Sequence, residues 1–161
     1  MAESLYIEKG LDKEELYTQL YPRLKALLEG ETNLIANMAN FCAVLNEAFG
    51  FLWAGFYLVN GNELVLGPFQ GPIACTRIQH GKGVCGSAWK NNETIVVPNV
   101  DEFQGHIVCS SLSKSEIVVP GRHKNGEVAF ILDIDSAELN SFDAIDEKHL
   151  GKYINLIEAC L

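Results

Sequence analysis

The chain has no apolar run approaching the ~20 residues that a helix needs to cross a bilayer, so a membrane-spanning helix is not expected. Basic residues are scarce: 12 Lys and Arg stand against 21 Asp and Glu, for a net charge of −9. No basic run relieves that balance, so a polyanion such as nucleic acid would be repelled. Repeats, low-complexity tracts and an interdomain linker are all missing. The first residues, Met1 to Lys9, carry early acids and no apolar stretch. No secretory leader is therefore expected, and the expected location is cytoplasmic. The five cysteines are an odd count without Cys-x₂₋₄-Cys pairs, which argues against both a disulfide framework and a structural zinc knuckle. In a reducing compartment, disulfides are transient and catalytic.

What is present fits one domain spanning residues 1–161, with an N-terminal helical segment (1–30) and a core (31–161). A chain of 161 residues buries about 70% of its unfolded surface, so it needs no staples. Leu16, Leu20, Leu24, Leu27 and Leu28 predict a helix over 12–28, interrupted or kinked at Pro22. After Gly30, Thr32 is the expected N-cap of a second helix with Leu34, Ile35, Met38, Phe41, Cys42, Leu45 and Phe49 on its apolar face. The period then becomes extended, with strands at 51–59 and 63–66 around Asn60-Gly61-Asn62. Residues 67–83 read as a long Gly/Pro-rich segment. A short helix at 84–91, a strand at 94–97, a hairpin of 115–119 with 127–135, and a closing helix at 144–159 capped by Asp143 complete the chain. Terminal helices around central strands predict an α+β fold with an antiparallel sheet of about six strands.

Two groups of residues carry chemistry. Cys75, Cys85 and Cys109 lie among Gly, Ser, Lys and Arg rather than in apolar runs, which suits solvent-reachable, reactive thiols. Cys42, on an apolar helix face, and Cys160, near the C-terminus, read as non-functional. The strand over 128–135 alternates Val128, Phe130, Leu132 and Ile134 on a core face with Ala129, Ile131, Asp133 and Asp135 on the other. A two-residue turn at Asn125-Gly126 would set Glu116 opposite Asp135. Three clustered carboxylates repel when ionised, which raises at least one pKa. Such a cluster can hold a substrate ammonium group, or keep a proton for a developing oxyanion; acids at a solvated strand end are the competing reading.

The segments Trp53-Ala-Gly-Phe-Tyr-Leu58, Leu66-Gly-Pro-Phe-Gln-Gly71, Gly81-Lys-Gly-Val-Cys85-Gly86, Lys114-Ser-Glu-Ile-Val-Val-Pro120 and Leu132-Asp-Ile-Asp-Ser136 resemble the free methionine-R-sulfoxide reductases, single-domain GAF-fold enzymes acting on the free amino acid. The resemblance covers roughly residues 30 to 158. It implies Cys109 as the thiol that attacks the sulfoxide, Cys85 as the principal resolving cysteine and Cys75 as a further thiol partner. It also implies Trp53, Glu116, Asp133 and Asp135 as the substrate pocket, with Glu116 or Asp135 giving a proton to the sulfoxide oxygen. No prosthetic group or metal is implied; reducing equivalents would come from a thioredoxin-like dithiol, and pairing as a homodimer is left open. The stretch Gly121-Arg122-His123 is one residue longer than the family's usual turn, and Phe130 stands where a small residue is commoner.

Three alternatives remain beside this reading. A zinc site from Cys75, Cys85, Cys109 and His80 or His106 lacks the usual ligand spacing. Gly81-Lys82-Gly83 lacks the rest of a phosphate loop. A non-catalytic GAF regulatory module would bind a small molecule without chemistry, but it would have little use for three exposed thiols.

Overall fold

The computed structural model describes residues 8, 10–107 and 109–161. The leader-free reading of residues 1–9 therefore falls outside the described residues except at position 8. Val108, next to Cys109, lies outside them too.

Asp12 opens helix α1 (Lys13–Leu28) with a capping box, its side chain accepting from Glu15 N–H. Pro22 does not break α1. Pro22 and Thr18 are both exposed, so the carbonyl that Pro22 cannot pair faces water. Helix α2 (Leu34–Phe49) is capped by Asn33, not Thr32: Asn33 Oδ1 accepts from Ala36 N–H at 3.0 Å. Helix α3 (Gly83–Asn91) has no side-chain cap, and helix α4 (Ala144–Glu158) carries the expected Asp143 cap in a second capping box. Lys13 and Tyr17 of α1 bind Asp146 of α4 at 2.6 and 2.9 Å, tying the chain's two ends together.

Six strands form one antiparallel sheet: β1 (Trp53–Asn60), β2 (Glu63–Gln70), β3 (Arg77–Gln79), β4 (Ile95–Val97), β5 (Ser115–Arg122) and β6 (Val128–Ser136). Their order is β3-β2-β1-β6-β5-β4. The expected return strand at 63–66 continues to Gln70, and β3 lies inside the stretch read as one long loop. One sheet face packs Ala54, Phe56, Ile117, Val119, Leu132 and Ile134 with apolar side chains of α1, α2 and α4. The other face carries Trp53, Tyr57, Val118 and Ile131 and packs against α3. Among the described residues, no helix is long and apolar enough to cross a membrane.

The β5–β6 hairpin departs from the expected two-residue turn. Its loop is Lys124-Asn125-Gly126: His123 N–H donates to the Glu127 carbonyl (2.8 Å), Gly126 N–H donates to the His123 carbonyl (2.9 Å), and Gly126 sits at φ +88°. That loop shifts the register by one residue. A bulge then shifts it back, because Gly121 pairs with Phe130 while Arg122 pairs with Val128. Glu116 thus opposes Asp135 as expected, by two deviations that cancel. The bulge also exchanges two side chains: Ala129 joins the helix-covered core, and Val128 packs on the opposite face. The Phe130 ring fills the space where a Cβ at Gly121 would stand, so the two unusual features of this hairpin are one packing solution.

Candidate active site

Cross-strand pairing builds the site in two adjacent rows. Trp53 pairs with Asp135, and Asp135 pairs with Glu116; one step along, Gly55 pairs with Asp133, and Asp133 with Val118. Directly paired residues share a face, so Trp53, Glu116, Asp133 and Asp135 all project on the side of the sheet away from α1, α2 and α4. Gly55 matters here because any Cβ would strike the Trp53 ring and Phe69. The indole stacks on Phe69 and Tyr57 at centroid distances of 5.3 and 5.9 Å, and its Nε1 donates to the Pro72 carbonyl at 3.1 Å. Trp53 is therefore a packed core residue, and its edge also borders a cavity with Cys109, Asp133 and Asp135.

Helix α3 brings Cys85 over the acids. Its Sγ lies 3.9 Å from Glu116 Oε1, and Cys85, Glu116 and Asp133 are all buried. Burial, followed by the Asp133 and Asp135 carboxylates, pushes the Glu116 carboxyl well above its ordinary 4.5. Burial and then Asp135 raise Asp133 well above 3.8. Asp135 rises less, to about 6: burial raises it, and the hydrogen bond donated by the Ser113 hydroxyl favours its ionised form. Burial, then Asp133 and Glu116, raise the Cys85 thiol well above 9.0, so it stays protonated. Asp133 Oδ1 is buried with no hydrogen-bond partner.

The remaining two thiols are bonded to each other. Cys75, on the loop between β2 and β3, and Cys109, in the segment before β5, form a disulfide with a Cα–Cα separation of 5.4 Å. Both are half-buried and reachable, unlike Cys85. The Cys85–Cys109 pairing implied by the resemblance is thus not the bond formed here, because Cys85 points at Glu116 and Cys75 reaches Cys109. The Tyr57 hydroxyl donates to the Cys75 carbonyl at 2.9 Å, which anchors that loop.

Cys109 and Ser110 stand between two small cavities, both bordered by Asp133 and Asp135. One, of about 40 Å³, also touches Cys85, His106 and Glu116; the other, of about 20 Å³, touches Trp53 and Tyr57. A water needs roughly 10–15 Å³ of such space, so each has room for a few waters. Six of the seven residues that the sequence points to (Trp53, Cys85, Cys109, Glu116, Asp133 and Asp135) line these cavities, and the seventh, Cys75, is bonded to Cys109. Tyr57 and Ser113 were not selected. Tyr57 was within reach of the strand period, four residues from Trp53; nothing in the local pattern marked Ser113.

The acid cluster costs stability, which gives a first prediction. For each raised carboxyl, the protonated form's advantage is complete below its ordinary pKa and is lost as pH rises through the folded value, between 3.8 and about 6 for Asp135 and to higher pH for Glu116 and Asp133. An unpartnered buried acceptor adds a penalty of about 1–3 kcal/mol. Asp133→Asn is therefore expected to melt several degrees above the wild type at pH 7, at about 2–4 °C per kcal/mol for a chain of this size. The gap should close below about pH 4. Melting curves across pH check this, and an Asn variant that melts lower at neutral pH would contradict it.

No family model matches the sequence. The six-stranded antiparallel sheet with its four helices is a GAF-like fold, and a GAF domain-containing protein A of Dictyostelium discoideum is 58% identical over 159 residues, covering 98% of this chain and 99% of that one. The free methionine-R-sulfoxide reductase of Saccharomyces cerevisiae is 40% identical over 164 residues, with 97% and 91% covered. The X-ray structure of free methionine-R-sulfoxide reductase from Neisseria meningitidis in complex with its substrate matches with a TM-score of 0.94 and 48% identity, covering 98% of this chain and 94% of that one. The chain belongs to the free methionine-R-sulfoxide reductase family.

Proposed function

We propose that this protein reduces free L-methionine-(R)-S-oxide to methionine through a thiol, sulfenic acid and disulfide cycle. The observation that carries this reading is the reachable Cys75–Cys109 disulfide, set against buried Glu116 and Asp133 with Asp135 beside them. Substrate and epimer are supported by the yeast and Neisseria relatives.

The Cys109 thiolate attacks the sulfoxide sulfur while Glu116, whose carboxyl holds its proton through burial and the neighbouring acids, protonates the sulfoxide oxygen. The hydroxyl then passes to the Cys109 sulfur as the S–O bond and the newly formed sulfur–sulfur bond break, giving methionine and a sulfenic acid. The thiol of Cys75 attacks that sulfur; water leaves and the disulfide forms. Two electrons have then moved from the dithiol to the substrate. A thioredoxin-like dithiol restores the pair by exchange, and burial of Cys85 directs that exchange to Cys75 and Cys109. Ionised Asp135, with Asp133, receives the substrate ammonium group, and the Trp53 ring takes the S-methyl end through a sulfur–aromatic contact. Opening the disulfide frees the Cys109 segment that divides the two cavities, so the reduced form admits substrate.

The chain acts as one GAF unit in this scheme, the N-terminal helix included, because α1 is tied to α4. The cycle suits the cytoplasm, where dithiol reductants are kept reduced. The deciding experiment is NADPH consumption with thioredoxin, thioredoxin reductase and methionine sulfoxide. Free methionine-R-sulfoxide should be turned over. The same group inside a peptide should be turned over at least tenfold more slowly, because a blocked amine cannot pair with the carboxylates. A passive binding module would consume nothing.

A further inference from the structure

We propose that Cys85, Glu116 and Asp133 form a site for one zinc-like divalent cation. One ligand atom from each of Cys85, Glu116 and Asp133 lies within 4.8 Å of the others, and all three residues are buried. An independent observation points to a ligand there: Asp133, only 7% exposed, lines the cavity and keeps its Oδ1 without a hydrogen-bond partner. His106 lines the same cavity, its Nε2 3.9 Å from Glu116 Oε2, but stands outside this group of ligand atoms.

The donor set selects the ion. A thiolate with two carboxylates suits zinc and similar borderline ions, water completing the shell, whereas magnesium and calcium prefer oxygen alone. The cation displaces the Cys85 thiol proton to solvent and neutralises carboxylates that otherwise repel each other. A cavity of about 40 Å³ accommodates an ion with one or two waters. Asp135 is not a ligand in this arrangement, because the Ser113 hydroxyl already holds one of its oxygens. Cys75 and Cys109 are excluded because their sulfurs are bonded to each other.

This site stands on its own geometry and does not depend on the reductase reading. Where both hold, the cation occupies carboxylates that the substrate amine needs, so a loaded protein is inactive.

The test is titration of Co²⁺ into the oxidised, disulfide-bonded full chain, followed by near-ultraviolet thiolate-to-metal absorption. One equivalent should bind, give that band, and be displaced by Zn²⁺. Cys85→Ser should lose the band; Asp133→Asn, with its fold confirmed by melting, should bind at least about tenfold more weakly. Cys160→Ser should retain both band and affinity. Absence of a thiolate band, or a band that survives in Cys85→Ser, overturns the proposal. A band in the loaded protein, with no sulfoxide turnover by the metal-free reduced protein, would instead overturn the reductase reading and leave the cation site standing.

Discussion

Cys109→Ser is expected to abolish turnover of free methionine sulfoxide. A serine hydroxyl cannot accept the sulfoxide oxygen and then return to a reduced form, so NADPH consumption should fall to background. Cys75→Ser should behave differently. Its attacking thiol is intact, so one methionine should form per chain in a single turnover. Steady-state turnover should then collapse, because the sulfenic acid has lost its resolving partner. Cys85→Ser should keep cycling, since its sulfur is buried against Glu116 rather than bonded to Cys109. Mass spectrometry of the oxidised Cys75→Ser variant offers a second readout, with the oxygen on Cys109. If Cys85→Ser stalls and Cys75→Ser cycles freely, the resolving roles are the reverse of those proposed.

Glu116→Gln should lower kcat by about 10²–10⁴-fold, the usual contribution of a positioned general acid. Its pH profile is the sharper test. The wild-type rate needs Glu116 protonated, so it should fall as pH rises through a carboxyl pKa that burial and two neighbouring acids hold well above 4.5. The amide has no such titration, and the basic limb should flatten. Asp135→Asn should retain that limb and raise KM instead, because the Ser113 hydroxyl favours the ionised form of Asp135, which suits it to an ammonium group. A flattened limb in Asp135→Asn with an unchanged one in Glu116→Gln would assign the proton to Asp135.

Helices and strands were legible because their signals are local. Leucine spacing marked α1, and alternation marked β6; Asp143 capped α4 where expected. Errors arose where a neighbouring element decided the outcome. Pro22 was read as an interruption, but an exposed helix face supplies water to the carbonyl it leaves unpaired. The short strand β3 has only three residues and exists because Glu63, Leu64 and Val65 of β2 offer it an edge.

The sequence by itself determined which side chains could do chemistry: reactive-looking thiols in polar settings and acids two apart on one strand face. Sequence periodicity suffices for that, since residues two apart on a strand point the same way wherever the strand lies. Only the tertiary structure decided which thiol meets Cys109. Chain distance ranks Cys85 nearer than Cys75, yet α3 turns Cys85 down onto Glu116 while the loop anchored by Tyr57 carries Cys75 across. It also decided the acid cluster's character, because burial under α3 and the meeting of β1, β5 and β6 raise those carboxyl pKa values, and neither burial nor adjacency between distant strands is written in any local run of residues.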